Sequence, residues 1–182
     1  MEFEFKELQD VADVTKLAGF EFSKYMEYID GGDIIALRAL NIRNGDLDLS
    51  DVKLISNEIS NQLSRSKLFV NDIVLTYTGN GYGDCAFINE NDKYHLAPNI
   101  AKISPKDNIN PHFLFQVIKS SMFRRQMKSF IVGSSQPTIP MKTIRILKIP
   151  FMDIKTQDRI VNILKKLDDK IKINKKINHN LQ

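Results

Sequence analysis

From Asp153 to Gln182 the chain runs without Gly or Pro, and Ile160, Leu164, Leu167 and Ile171 recur at spacings of four, three and four. The same register continues through Asn174, Asn178 and Leu181. Alternating steps of three and four form a heptad seam. About 28 helical residues at roughly 1.5 Å each extend on the order of 42 Å, more than a small domain covers with its own body. Burying a seam residue contributes about 1.5 to 3 kcal/mol, whereas ordering the backbone costs about 1 to 2 kcal/mol per residue. The helix therefore requires a partner, either its own core or another chain. Two asparagines in the seam favour another helix, because such residues select register and strand number.

Upstream the pattern changes period. Phe5, Leu8, Val11, Ala12 and Val14 predict a short helix or a strand and turn. After Gly31-Gly32-Asp33, the segment IIALRALNI reads as one strand, and Asn44-Gly45-Asp46 turns the chain. A further strand and helix lead to Val70, Ile73, Val74 and Leu75, a buried strand that ends at Thr76, Tyr77 and Thr78. The loop Gly79 to Gly83 joins it to CAFI, the pattern of a hairpin or bulge. Residues 93–105 read as another strand. Asn110-Pro111 then starts a helix, predicted to run unbroken to Phe130, with Phe113, Leu114, Val117, Ile118, Met122 and Phe123 on its apolar face. Beyond it Gly133, Pro137 and Pro140 deny a helix, and Ile144, Ile146 and Ile149 alternate as in a half-buried strand, with Arg145 and Lys148 facing out. Asp153 offers an N-cap for the final helix. The expected fold class is α+β: residues 1–152 form a globular domain with a mixed, twisted β-sheet and flanking helices, and residues 153–182 form a coiled-coil arm.

Charge sharpens this picture. The net charge is only +4, but it is sorted along the chain. Residues 108–152 contain no acid, while Lys119, Arg124, Arg125, Lys128, Lys142, Arg145 and Lys148 give them seven positive charges. An acid-free stretch of this length is either a footprint for a polyanion or a basic face answering the acidic first half. For DNA, the candidates near bases are Arg38, Arg43, Thr78, Asn80, Tyr82, Ser134, Ser135 and Gln136, residues at strand ends and turns. Lys119, Arg124, Arg125, Lys128 and Lys142 are the candidates near phosphates.

Catalytic chemistry finds little support. His95, His112 and His179 are scattered without metal-ligand spacing, so no metal is expected. The single cysteine, Cys85, excludes an internal disulfide and has no histidine nearby in sequence. The glycine loop lacks the Gly-Lys-Ser/Thr of a phosphate loop and leads into a strand, not the helix of a dinucleotide fingerprint. The N-terminus has neither a basic start nor an apolar run, and no apolar run approaches the roughly 20 residues that span a bilayer. A cytoplasmic protein without a membrane role is expected.

In this order the chain resembles one half of a type I restriction-modification specificity subunit. The resemblance is carried by Ile34 to Gly45, by Asp72-Ile73-Val74 followed by Gly79 and Gly83, and by Asn99. It continues through Phe113-Leu114 with Ser120, Gln136 with Ile139, and Ile149-Pro150 followed by Gln157 and Ile160. Asn71 stands where the family usually has Gly, Met152 replaces a frequent Pro, and Lys155-Thr156 replaces more acidic residues. The resemblance implies one target-recognition domain and one helical arm. It further implies a homodimer joined through Ile160, Leu164, Leu167, Ile171, Asn174, Asn178 and Leu181, reading a bipartite inverted repeat in double-stranded DNA. Adenine methylation and restriction then fall to partner methyltransferase and restriction subunits, which bind S-adenosylmethionine and ATP; this chain needs no cofactor. The alternative is a stand-alone DNA-binding or adaptor protein that uses the helix to hold another protein.

Overall fold

Four antiparallel strands carry the centre of the fold. In the computed structural model the described residues are 4–79, 81–131 and 137–180, with 169, 172, 175, 176 and 178–180 described by backbone alone. The chain opens with β1 (Glu4–Glu7), the single turn α1 (Leu8–Val11), β2 (Ala12–Lys16) and α2 (Gly19–Tyr25). Next come β3 (Ile34–Leu37), β4 (Ile42–Arg43), β5 (Asp46–Leu47), β6 (Lys53–Ile55) and α3 (Asn57–Gln62). The strands β7 (Ile73–Thr76), β8 (Cys85–Phe87), β9 (Tyr94–Leu96) and β10 (Ile100–Pro105) follow. The chain closes with α4 (Pro111–Lys119), α5 (Ser121–Ser129), α6 (Met141–Arg145), β11 (Lys148–Phe151) and the long α7 (Ile154–Asn180).

The main sheet has the order β2-β10-β7-β8 and is antiparallel throughout. Successive side chains of a strand face opposite sides. Ile73, Leu75, Ala101 and Ile103 accordingly join the cluster under α4 and α5, with Phe113, Leu114, Ile118, Phe123 and Met127. Val74, Ala86 and Ile100 face the other way, against Leu37, Leu68, Tyr94 and Leu96. A sheet buried on both faces explains why β7 reads as an unbroken apolar run.

The expected mixed sheet is divided. Mixed pairing occurs in the separate sheet β6-β3-β9, where β3 runs antiparallel to β6 and parallel to β9. IIALRALNI is two strands around a 3-10 turn, Ala39–Asn41, because the buried Asn41 bonds the backbone at Arg38, Asp48 and Asp51 and draws the chain out of line. Residues 93–105 form two strands, β9 and β10, bent at Asn99, whose φ is +72°.

Two other expectations are corrected. The single helix from Pro111 to Phe130 breaks at Ser120, which sits at ψ 153° and accepts from Phe123 N–H to cap α5. The predicted strand through Ile144 and Ile146 contains the helix α6 instead, with Thr143 and Ile144 buried and Ile146 exposed. Arg145 consequently turns inward and donates to the Val14 carbonyl at 2.8 Å. Asn71 has φ +76°, a left-handed conformation that asparagine tolerates almost as glycine does.

Candidate nucleic-acid interface

Two tight turns and a broken helix meet at one edge of the domain. Asn44 and Gly45, at φ +55° and +90°, join β4 to β5 in the two-residue turn whose twist matches a hairpin. Gly45 bridges to Ala86 of β8 and so lies beside the glycine loop. That loop is closed by Gly83 N–H on Thr76 O and Thr76 N–H on Asp84 O, both at 2.8 Å. Thr78 pairs with Thr138, while Gly79 N–H donates to Pro137 O at 2.9 Å and Ile139 N–H to Tyr77 O at 3.0 Å.

The break at Ser120 gives this edge its charge, because it brings the end of α4 and the start of α5 over the turns. Lys119 crosses Gly45 so closely that a Cβ there would stand 2.7 Å from its Cε. A Cβ at Gly83, where φ is +82°, would stand 3.4 Å from Cγ and Nε of Arg124. Arg124 in turn contacts Asp84 Oδ1 through Nη2 at 2.6 Å. Both turns, Cys85, Lys119 and Arg124 line a hollow of about 250 Å³. Cys85 lies beneath it. Burial pushes its thiol up to about 12 although Lys119 and Arg124 both pull it down, so it stays a neutral thiol and not a nucleophile.

The predicted DNA-binding residues divide into three groups. Lys119, Arg124, Thr78 and Tyr82 come together around the glycine loop, with the Tyr82 side chain also packed on the main core. Arg125, Lys128 and Lys142 are exposed and, among the described residues, make no ion pair. Arg43 is exposed beside the Asn44-Gly45 turn, with Nε donating to Leu40 O at 3.3 Å. Arg38 is placed differently: it donates to Asp51 O at 2.9 Å and pairs with the Asp51 carboxylate at 3.1 Å, which makes it a tie for the loop before β6. Asn80, Ser134, Ser135 and Gln136 lie outside the described residues. The sequence reading missed Gly45 and Asp84, whose importance comes from what crosses them.

Two of the three histidines, His95 and His112, have structural partners, and the His179 side chain lies outside the described residues. His95 is fully buried, its ring nitrogens 2.8 Å from Leu96 O and 3.2 Å from Leu63 O, and burial holds its pKa down. His112 stacks on Phe87 with centroids 4.3 Å apart; burial, aided by Lys165, lowers its pKa. Among the described residues no cluster of His, Cys, Asp or Glu could hold a metal, and no helix is long and apolar enough to cross a membrane.

The arm begins inside the domain. Asp153 caps it by accepting from Thr156 N–H at 3.0 Å. Gln157 is fully buried, accepting from Asn110 N–H at 2.7 Å and donating to Met152 O at 2.8 Å. Asn110 itself caps α4 and donates to Asp158 at 2.7 Å, and Gln116 reaches Asp168 at 3.1 Å. Of the predicted interface residues, Ile160 packs on its own core and Leu164 is half-buried. Leu167, Ile171 and Asn174 are exposed. The Asn178 side chain and Leu181 lie outside the described residues. Ile163, Ile173 and Ile177, absent from the seam as read, are also more than half exposed.

The model of the type I restriction modification DNA specificity domain matches residues 1–182. The EcoBI type I restriction enzyme specificity subunit of Escherichia coli is 32% identical over 143 residues, covering 76% of this chain and 29% of that subunit. The HindI specificity subunit of Haemophilus influenzae is 27% identical over 169 residues, covering 90% of this chain and 35% of that one. This chain therefore spans about a third of the length of these relatives. In fold it is similar to the crystal structure of the HsdS subunit from Thermoanaerobacter tengcongensis, with a TM-score of 0.66 at 16% identity, covering 96% of this chain and 44% of that one.

Proposed function

Because this chain belongs to the type I restriction modification DNA specificity family, we propose that it reads double-stranded DNA for a type I restriction-modification system and performs no chemistry itself. The observation that carries this reading is the convergence of Lys119 and Arg124 on two turns whose glycines, Gly45 and Gly83, leave room for the two cationic stems. A glycine lets such a stem lie close on the backbone, and a cation without a carboxylate partner, as Lys119 is among the described residues, displaces counterions from phosphates. Arg125, Lys128 and Lys142 extend the same charge. Partner subunits in the cytoplasm supply the methyltransferase, S-adenosylmethionine, the restriction activity and ATP.

The arm joins two copies. Its exposed Leu167 and Ile171 fit a second helix of the same kind, and a two-fold pair of readers matches an inverted-repeat DNA site. A helix of 27 residues is about 40 Å long, which sets half-sites on the order of 12 base pairs apart.

The test is duplex binding by fluorescence anisotropy across a salt series, with light scattering for mass. The expected results are a dimer and a steep salt slope that falls by about 0.9 for each phosphate contact removed, Lys119→Ala being the first substitution. The full chain mixed with methyltransferase subunits should methylate adenine in a duplex that neither modifies alone. A monomer with salt-independent DNA binding would refute the reading.

A further inference from the structure

The cations of the acid-free stretch are of two electrostatic kinds. Among the described residues, Lys119, Arg125, Lys128 and Lys142 have no carboxylate within ion-pair distance, whereas Arg124 is held by Asp84 at 2.6 Å. Asp84 is itself fixed at the mouth of the loop, its carbonyl accepting from Thr76 N–H and its own N–H donating to Gly81 O. The stem of Arg124 lies over Gly83, where a Cβ would stand 3.4 Å from its Cγ and Nε. The guanidinium is therefore oriented before any ligand arrives, and half of the side chain remains open to solvent.

A phosphate placed there would meet the Asp84 carboxylate as well as the guanidinium, and like charges at that range repel. The edge of a guanine presents two uncharged acceptors, O6 and N7, at the spacing of two guanidinium N–H groups. It gains the hydrogen bonds without the repulsion. Asp84 takes one of the two N–H groups of Nη2, which leaves the other to pair with Nε or Nη1 as parallel donors of a planar fork whose orientation the carboxylate fixes. Lys119, on the other side of the same hollow and free of that carboxylate, suits the adjoining phosphate.

We propose that Arg124, oriented by Asp84 over Gly83, is a sequence-determining residue that reads a guanine in the major groove, while Lys119 beside it anchors the DNA backbone. This deepens the DNA-reading function proposed above and rests on it. Asp84 acts through Arg124 and is a positioning residue.

The test selects bound duplexes from a pool with randomised positions, using the full-length chain and three variants, each checked for folding by thermal denaturation. The unsubstituted protein should enrich a motif containing a guanine favoured at least about tenfold at one position. Arg124→Lys keeps the charge but loses the fork, so that preference should fall below about threefold while affinity for the unselected pool changes little. Asp84→Ala frees the guanidinium and removes a negative charge; it should weaken the same preference while raising affinity for the pool. Lys119→Ala should lower affinity for every sequence alike and leave the motif intact. A uniform loss across sequences with Arg124→Lys, or an unchanged motif, overturns the guanine assignment and leaves DNA reading standing. No motif with the unsubstituted protein overturns both.

Discussion

The two halves of α7 are one continuous helix with opposite circumstances. In the first, Gln157 has no exposed surface and both ends of its amide are hydrogen-bonded to the domain, while Ile160 and Val161 close the core beneath α4. In the second, Leu167, Ile171, Ile173 and Ile177 stand open along the rod. The near half is folded by its own domain through Gln157, Ile160 and Val161, whereas Ile163 and the far half carry an unmet hydrophobic requirement. A polar residue, Gln157, shares with Ile160 and Val161 the hold on the near half, and apolar residues mark the unsatisfied one. The difference shows that burial in the domain depends on where the helix meets α4, not on apolar character alone.

The largest effect expected is at the junction. Gln157→Ala leaves Asn110 N–H and Met152 O without their partner in a buried place, which should lower unfolding stability by about 3 kcal/mol in urea titrations. If stability were unchanged, the near half would be no more anchored than the far one. Leu167→Glu combined with Ile171→Glu should do the reverse, weakening self-association at least about tenfold by sedimentation or light scattering. Unfolding of the separated chain should be altered by less than about 0.5 kcal/mol.

Acid sharpens the same contrast. Burial holds the His95 imidazole below its ordinary value, so the folded domain binds fewer protons than the unfolded chain between the two values. Its contribution is complete above about pH 6.5 and is lost as pH falls through the folded value. Hydrogen bonds from Thr156 lower the Asp153 carboxyl, so the helix cap holds to lower pH and weakens only below about pH 4. Stability measured by denaturant titration should therefore decline first through the domain, and His95→Gln should flatten the upper part of that decline. The smallest effect is expected from Asp158→Ala, which removes one exposed hydrogen bond from Asn110 and should cost less than about 0.5 kcal/mol.

The long helix was legible because a 27-residue stretch without Gly or Pro repeats its apolar period many times. Its attachment was harder to read, since the seam assigned Ile160 to a partner while the structure packs it at home. Ile173 and Ile177 escaped because they fall roughly a quarter turn from the seam. The helix α6, five residues long, is too short to establish a period between two prolines and a strand. For the candidate site, the basic stretch was visible as composition, and Lys119 and Arg124 followed from it. The pairing of Arg38 with Asp51, thirteen residues away, is one that only the folded loop reveals. Gly45 looked like any turn residue; the Lys119 stem above it is supplied from 74 residues further along the chain.

Both glycines also constrain how such a reader can change over generations. At Gly45 any side chain would strain the backbone and push Lys119 aside, and at Gly83 it would strain the backbone beneath Arg124. Gly45, only partly exposed, and Gly83, buried beneath Arg124, are thus nearly as intolerant of drift as the apolar interior. Exposed neighbours such as Arg43 and Arg125 are where new preferences can arise without dismantling the platform.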